Sequence, residues 1–546
     1  MFEQRLNEIV FHTACMAARR PLRESGLWHH GDIRNNFYDA SYIIAAAADT
    51  TMELPFDRME AVERAERVLL QVVRLQDRTP GSATYGHWPL GLDPDPAEAK
   101  PNPLPAELMG LLMAYFVKRY RHVLSESLQA EFRIAFETLY RSDFYRTPLY
   151  HYHHHEAKYT AAKLIYGTMF GDAGLLDDGI ACLKATLDRI KSAGMTEYGC
   201  LPWFWHWIQA FACAFHCVER QDIKDMLAEM LDFLWEERAA FYWKGTWIGA
   251  HSRGLAHDIP SDGNVLFDYV QFGDFSFPET VPRVEYAGLL FYPAPDSVRA
   301  LAVGRSFPAE VKKLVPPKPE ASAYETLHSY VYVEEHYAVG GMWERTLEFD
   351  NEQHRWSATL PLTGNGDANK AFFFHPGAGF AGEDSADWRH QSEVEEVLLH
   401  RNVVMALYPI SDEGPDYIVG CLPKGRWLDQ DRAIFGQCGD VYIAVYLMQP
   451  YRMTLTDRAW RVISPGRANG VVMEVVDGRA ARQAGMADLE SFASARLATK
   501  AVFDQEKLAA RYETTNGDVL ELRCDRRDAV KRSVNGVPVR FDGYER

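Results

Sequence analysis

Apolar residues recur at helical spacing through roughly the first 240 positions. Between 174 and 191, Leu176, Ile180, Leu183, Leu187 and Ile190 fall on one face of a helix. The same period runs through Leu104, Leu108, Leu111, Leu112, Tyr115 and Phe116. It recurs in Val62, Ala65, Leu69, Val72 and Val73, with charged residues between them. With further helices predicted over 1–19, 38–52, 124–140, 156–170, 202–218 and 222–240, the pattern gives about nine. Breakers separate them: Pro80-Gly81, and the stretch from Asp93 to Pro105 with its five prolines. Helices of this length joined by irregular loops predict a ring of helical hairpins, an (α/α) toroid, over a short-looped bundle.

The period then changes. A loop-rich stretch over 244–320 contains Val315-Pro316-Pro317-Lys318-Pro319, which reads as a linker. Beyond it, Asp440 to Met448 is apolar on both alternating faces, as a strand buried between layers should be. Val471–Val476 and Tyr330–Val333 read the same way. Asn516-Gly517 and Asn535-Gly536 sit between strand-like flanks, the signature of two-residue hairpin turns. The prediction is an α+β multidomain chain: an (α/α) toroid catalytic domain with its linker over 1–315, then an antiparallel β-sandwich over 320–546.

Composition narrows the function classes. At 546 residues the chain has room for two or three domains. It lacks any run of about 18 uncharged apolar residues, which argues against a membrane span. Its start, Met1-Phe2-Glu3-Gln4-Arg5-Leu6-Asn7-Glu8, carries early acids instead of a secretory leader, so a cytoplasmic location is expected. The formal charge of -18 and the dispersed basic residues argue against nucleic acid and acidic membranes as partners. They leave room for an anionic substrate in a locally basic pocket. The eight cysteines form no CxxC pair and read as reduced, buried thiols. No glycine-rich phosphate loop, HExxH or GxSxG occurs, and no cofactor or metal is expected. The oligomeric state is left open.

Four clusters carry candidate chemistry. Trp28-His29-His30-Gly31-Asp32-Ile33-Arg34-Asn35-Asn36-Phe37-Tyr38-Asp39 reads as a loop just before an alanine-rich helix; its paired amides suit a carboxylate or sugar hydroxyls, Trp28 suits a sugar face, and helix capping by Asn or Asp is the alternative. Tyr150-His151-Tyr152-His153-His154-His155-Glu156 opens the next site, with four histidines in five residues. These suit proton transfer, metal binding or packing, and neither helical nor strand spacing closes a four-ligand metal set. Glu197-Tyr198-Gly199-Cys200-Leu201-Pro202-Trp203-Phe204-Trp205-His206-Trp207 reads as an aromatic platform at a helix start, or as core packing. Finally, Gly249-Ala250-His251-Ser252-Arg253-Gly254 pairs an imidazole suited to proton transfer with a guanidinium suited to a carboxylate. The alternative there is a structural tie from Arg253 to Asp258 or Asp262.

Such a toroid-plus-sandwich chain, with Asn, His, Tyr and Arg at toroid loops, resembles the heparinase II/III-like and chondroitin AC-lyase-like polysaccharide lyases. The matches are Glu197-Tyr198, Gly249–Arg253, Tyr330–Gly340, Arg432–Asp440 and Ser464-Pro465-Gly466-Arg467. One segment departs: relatives run from Glu-Tyr into Asn-Ser-Pro-Thr-Tyr, where this chain has Gly199-Cys200-Leu201-Pro202-Trp203. A proton-transfer tyrosine is thus missing there, leaving Tyr198, Tyr159 or Tyr38 as substitutes. The resemblance implies β-elimination at a uronic acid within an acidic oligosaccharide or polysaccharide, exolytic if the substrates are short imported chains. A cation or amide neutralises the carboxylate, a base removes the C5 proton, and a second group protonates the leaving oxygen. With the clusters, this assigns catalysis to His251, Arg253, Tyr198, His154, His155 and Asn36. Substrate contact falls to Asn35, Trp28, Trp203, Trp205, Glu197 and Glu156. Two rivals stand beside it. One is a glycoside hydrolase using two carboxylates from Asp32, Asp39, Glu156, Glu197 and Asp258; the other is a non-catalytic carbohydrate-binding protein.

Overall fold

A computed structural model describes residues 2–318, 324–348, 352–524 and 530–546. Nine α-helices occupy its first 240 positions: α1 (Phe2–Arg19), α2 (Ile33–Ala48), α3 (Arg58–Arg74), α4 (Pro103–Tyr120), α5 (Glu126–Arg141), α6 (His154–Phe170), α7 (Ala173–Ala193), α8 (Leu201–Cys217) and α9 (Gln221–Ala240). Helices α2, α4, α6 and α8 pack on one another in that order, with α3, α5, α7 and α9 outside them. Composition explains the two layers. Outer α3 alternates buried Ala65, Val68, Leu69 and Val72 with charged residues, whereas inner α4 is buried continuously from Pro105 to Phe116. Helix α2 begins at Ile33, earlier than its apolar pattern suggests, because Asp32 caps it by accepting from the Arg34 amide at 3.0 Å.

The segment after α9 closes the ring. Tyr286 stacks on Phe37 of α2 at 5.5 Å, the Tyr115 hydroxyl of α4 donates to the Leu289 carbonyl at 2.6 Å, and Trp205 of α8 stacks on Phe267.

All three larger sheets of the second half are antiparallel. An eight-stranded sheet runs from an edge at Arg452–Leu455 to an edge at Ala309–Val315, and a six-stranded sheet faces it across a shared apolar core. Strand Val441–Leu447 is buried at every position, paired on both sides within the six-stranded sheet. A five-stranded sheet spans 502–538, and short helices Gly478–Gln483 and Leu489–Ala498 precede it; the alternating pattern shows neither helix. Asn535-Gly536 forms the expected two-residue turn, both residues left-handed, at φ 52° and 77°. Asn516-Gly517 instead lies inside a longer loop joining Ala509–Glu513 to Val519–Arg523.

The proline run at 315–319 is not a linker between ring and sandwich. Strand Ala309–Val315 precedes it and pairs directly with Leu327–Val333, so the run leads between neighbouring strands of one sheet; Pro319 lies outside the described residues. These first strands also seat the sheet on the ring, since Val331, Val333, Ala338 and Met342 belong to the same apolar core as the helices. Among the described residues, no helix is long and apolar enough to cross a membrane. The eight cysteines form no disulfide.

Candidate active site at the mouth of the helical ring

The inner helices begin at a common end of the ring, and each start is fixed locally. Asp32 caps α2, Asn102 with Pro103 starts α4, His153 caps α6, and Pro202 opens α8. Their first turns touch: Glu107 of α4 meets His155 and Lys158 of α6, and His154 of α6 meets Trp203 and His206 of α8. Four helix N-termini facing one mouth give it a positive bias suited to an anion.

Glu107 organises one side. Its carboxylate accepts from His155 Nδ1 at 2.6 Å, Lys158 Nζ at 2.6 Å and the Tyr159 hydroxyl at 2.8 Å. Burial alone would raise this carboxyl, yet the His155 hydrogen bond and the Lys158 charge hold it well below its ordinary range. Burial lowers Lys158 despite Glu107, and burial with the Glu107 charge raises Tyr159, keeping that phenol protonated. With Nδ1–H committed to Glu107, His155 has Nε2 to accept a proton, and its side chain is 30% exposed.

Glu197 organises the other side. It accepts from the His154 amide at 3.0 Å, His154 Nδ1 at 2.6 Å and Trp207 Nε1 at 2.9 Å. Burial would raise it, but His154, Trp207 and His153 outweigh that and hold it at about 2. Burial pushes His154 down to about 4, so at neutral pH it is an uncharged donor to Glu197. Its ring stacks on Trp203 at 5.0 Å, and Trp203 carries Arg253 at 5.3 Å and Lys318 at 5.8 Å from its ring centre. Gly199 brings the 197–200 and 249–253 loops together: at φ 68° a Cβ would lie 2.4 Å from the Ala250 carbonyl oxygen.

The mouth therefore gathers His154, His155, Trp203 and Arg253 from three of the four clusters, but several other expected site residues serve the fold. Asn36 is fully buried in the first turn of α2 rather than in a loop; its amide accepts from the Trp28 and His29 amides and donates to the His29 carbonyl. Asn35 is exposed at the same helix start, and Trp28 is buried in the core beneath it. Glu156 is spent on the backbone amides of Tyr150, His151 and Tyr152. Trp205 is core, donating to the Asn264 carbonyl at 2.5 Å. Glu197 is a buried clamp on His154 instead of a substrate contact.

Tyr198 is buried, its hydroxyl donating to Glu348 at 2.9 Å and accepting from Gln353 at 2.7 Å; burial and the Glu348 charge raise it well above its usual range, which opposes a base role. His251 is 0% exposed. It exchanges backbone hydrogen bonds with His354 of the sandwich, and its imidazole lies 3.9 Å from Asp262, whose carboxylate also takes Lys370 at 2.9 Å. The imidazole is thus an interdomain packing group. Arg253 bonds neither Asp258 nor Asp262 in the way its loop suggests; its Nε donates to Glu352 of the sandwich at 2.5 Å. The histidine run splits between two carboxylates, and among the described residues no metal-ligand cluster of three or more His, Cys, Asp or Glu forms.

Sequence reading missed Glu107, Lys158, His206 and Lys318. Glu107 and Lys158 sit within apolar helical stripes, where each taken alone looks misplaced. A charge inside such a stripe was the available signal, because buried charges come in pairs.

No family model matches the sequence, and no curated protein matches it. Among solved structures, the chain is similar in fold to heparinase III, at 11% identity and a TM-score of 0.41, over 91% of this chain and 81% of that one. It is similar to chondroitin AC lyase of Streptomyces coelicolor A3 at 12% identity and a TM-score of 0.43, covering 97% and 89%. A GH127 β-arabinofuranosidase also matches, at 10% identity and a TM-score of 0.27, covering 98% and 89%.

Proposed function

We propose that the chain is a carbohydrate-active enzyme that cleaves short uronate-containing glycans by β-elimination at this mouth. The observation that carries the reading is the pairing of His155 and Tyr159 on the single carboxylate of Glu107, beside a tryptophan flanked by two cations. Arg253 and Lys318 are paired with Glu352 and Glu348 of the sandwich; in this reading they exchange those partners for the uronate carboxylate and neutralise it, which makes the C5 hydrogen acidic enough to remove. His155 Nε2 takes that proton, and Glu107 stabilises the imidazolium across its short hydrogen bond. Tyr159, kept protonated, gives its hydrogen to the departing glycosidic oxygen as the C4–C5 double bond forms.

The carboxylates nearest His155 and Trp203 suit elimination better than hydrolysis, although burial raises Glu348, the partner of Lys318 and Tyr198. A hydrolase needs one protonated carboxyl near the scissile oxygen. Glu107, Glu197 and Glu285 are each held below their ordinary range by donors, and Glu156 is saturated by amides. Asp258 is raised, to about 8, by burial and Asp262, but it is fully buried.

The test is incubation with a panel of uronate-containing oligosaccharides, following ultraviolet absorbance of the conjugated product. Absorbance appearing with chain cleavage supports the reading. Sugar release without absorbance supports the hydrolase, and saturable binding without turnover supports a binding protein; either overturns it.

A further inference from the structure

At the opposite end of the same helices lies a second site. Helices α4 and α6 start at the mouth with Glu107 and His155, and their last turns, with α5 and the end of α8, enclose a cleft of about 430 Å³. At 1.5 Å per residue, the ten positions from His155 to Ile165 place it roughly 15 Å along α6 from the mouth. Helical spacing builds its walls. Ala114 and Lys118 project from α4 and Arg121 from just past its end, Phe132, Arg133 and Phe136 from α5, and Ile165, Thr168 and Met169 from α6; the spacings 114/118/121, 132/136, 133/136 and 165/168/169 place each set on one side of its helix.

The walls differ in depth. Ala114, Phe132, Phe136 and Ile165 are buried and form an apolar floor. Lys118, Arg121 and Arg133 are exposed at the rim, and Met169 is 42% exposed beside them. A cleft of this size with an apolar floor between three helices is a ligand-sized hollow. On a chain of net charge -18, three cations around one apolar cleft are a local reversal of sign. Lys118 is partly committed, donating to the Cys217 carbonyl at 3.1 Å and lying 4.0 Å from Glu219. Arg121 also makes a long contact, Nε to the Gln129 side-chain oxygen at 3.4 Å, which leaves its terminal guanidinium nitrogens for a ligand; with Arg133 it forms the head-group contact.

We propose that this cleft binds a small amphiphilic anion, with a linear apolar body on the Phe132–Phe136–Ile165 floor and a carboxylate between Arg121 and Arg133. The proposal is independent of the reaction assigned to the mouth. Its test is isothermal calorimetry on the full chain with sodium decanoate below its micelle concentration, against n-decanol and sodium acetate as controls. Saturable 1:1 binding of decanoate is expected, with decanol and acetate each at least about tenfold weaker, as loss of a charged hydrogen bond or of the apolar body requires. Two variants locate the site. The double substitution Arg121→Glu with Arg133→Glu changes only exposed side chains and should weaken decanoate about tenfold or more; Thr168→Trp should fill the cleft and abolish binding. Circular dichroism confirms that both variants fold. Absence of saturable binding, equal affinity for decanol, or unchanged affinity in both folded variants would overturn the proposal.

Discussion

Replacing Glu107 with glutamine tests the charge architecture of the mouth directly. The side chains of Glu107 and Lys158 are each only 3% exposed and lie 2.6 Å apart. The substitution keeps shape and volume, so no cavity forms; what it removes is the anion opposite a buried ammonium. Breaking such a pair by deleting one partner costs about 3–5 kcal/mol, most of it from the charge left behind. Lys158, already lowered by burial, can escape by losing its proton, so the penalty shrinks as pH rises. Removing both charges, as Glu107→Leu with Lys158→Met, should recover at least half of the loss even though His155 and Tyr159 forfeit an acceptor.

The wild type carries the matching acid signature. The folded Glu107 carboxyl lies below its ordinary value of 4.5, so its contribution is complete above that pH and is lost as pH falls through the folded value. Urea unfolding followed by tryptophan fluorescence from pH 9 down to about pH 2 measures each term, the Lys158 term at the alkaline end and the Glu107 term below pH 4.5. A single variant as stable as wild type, or a double variant no better than the single, would refute the account.

The other substitutions separate chemistry from architecture. His155→Ala should lower turnover on a uronate oligosaccharide by about 10²–10⁴-fold with the fold intact, as loss of a proton-transfer group does; steady-state kinetics with circular dichroism decides it. Arg253→Ala should lower kcat/KM by about 10²–10³-fold through loss of carboxylate neutralisation, and equal rates with and without the guanidinium would remove it from the site. His251→Ala should instead cost about 1–3 kcal/mol of stability by disturbing buried interdomain packing, seen as a lowered Tm. Gly199→Ala should destabilise by about 1–3 kcal/mol, because φ 68° and the Ala250 carbonyl oppose a Cβ there; a Tm equal to wild type would show that the two loops need no such approach.

The architecture was legible where a single physical rule acts along the chain. Helical stripes located the nine helices of the first 240 residues, and continuous burial marked Val441–Leu447 as an interior strand. Reading failed where one residue type serves two ends. Asn36 and Glu156 look like ligand-binding groups, yet each saturates local backbone amides at a helix start. His251 sits in a loop of glycine, serine and arginine that suggests an open site, and the sandwich covers it through His354. Pro316 and Pro317 imitate a linker because the end of a strand and a domain boundary draw on the same residues.

Periodicity, capping residues and breakers, all local, determined from sequence alone that a helical half precedes a strand-rich half, that histidines and tryptophans gather near helix starts, and that an arginine lies in a loop after the last long helix. Which of them meet was decided only by tertiary packing. Glu107 lies 48 residues before its His155 partner, and Arg253 finds Glu352 across 99. Contacts across such separations carry no signature in local spacing, because they exist only once parallel helices and a covering sheet bring charges together where water cannot screen them.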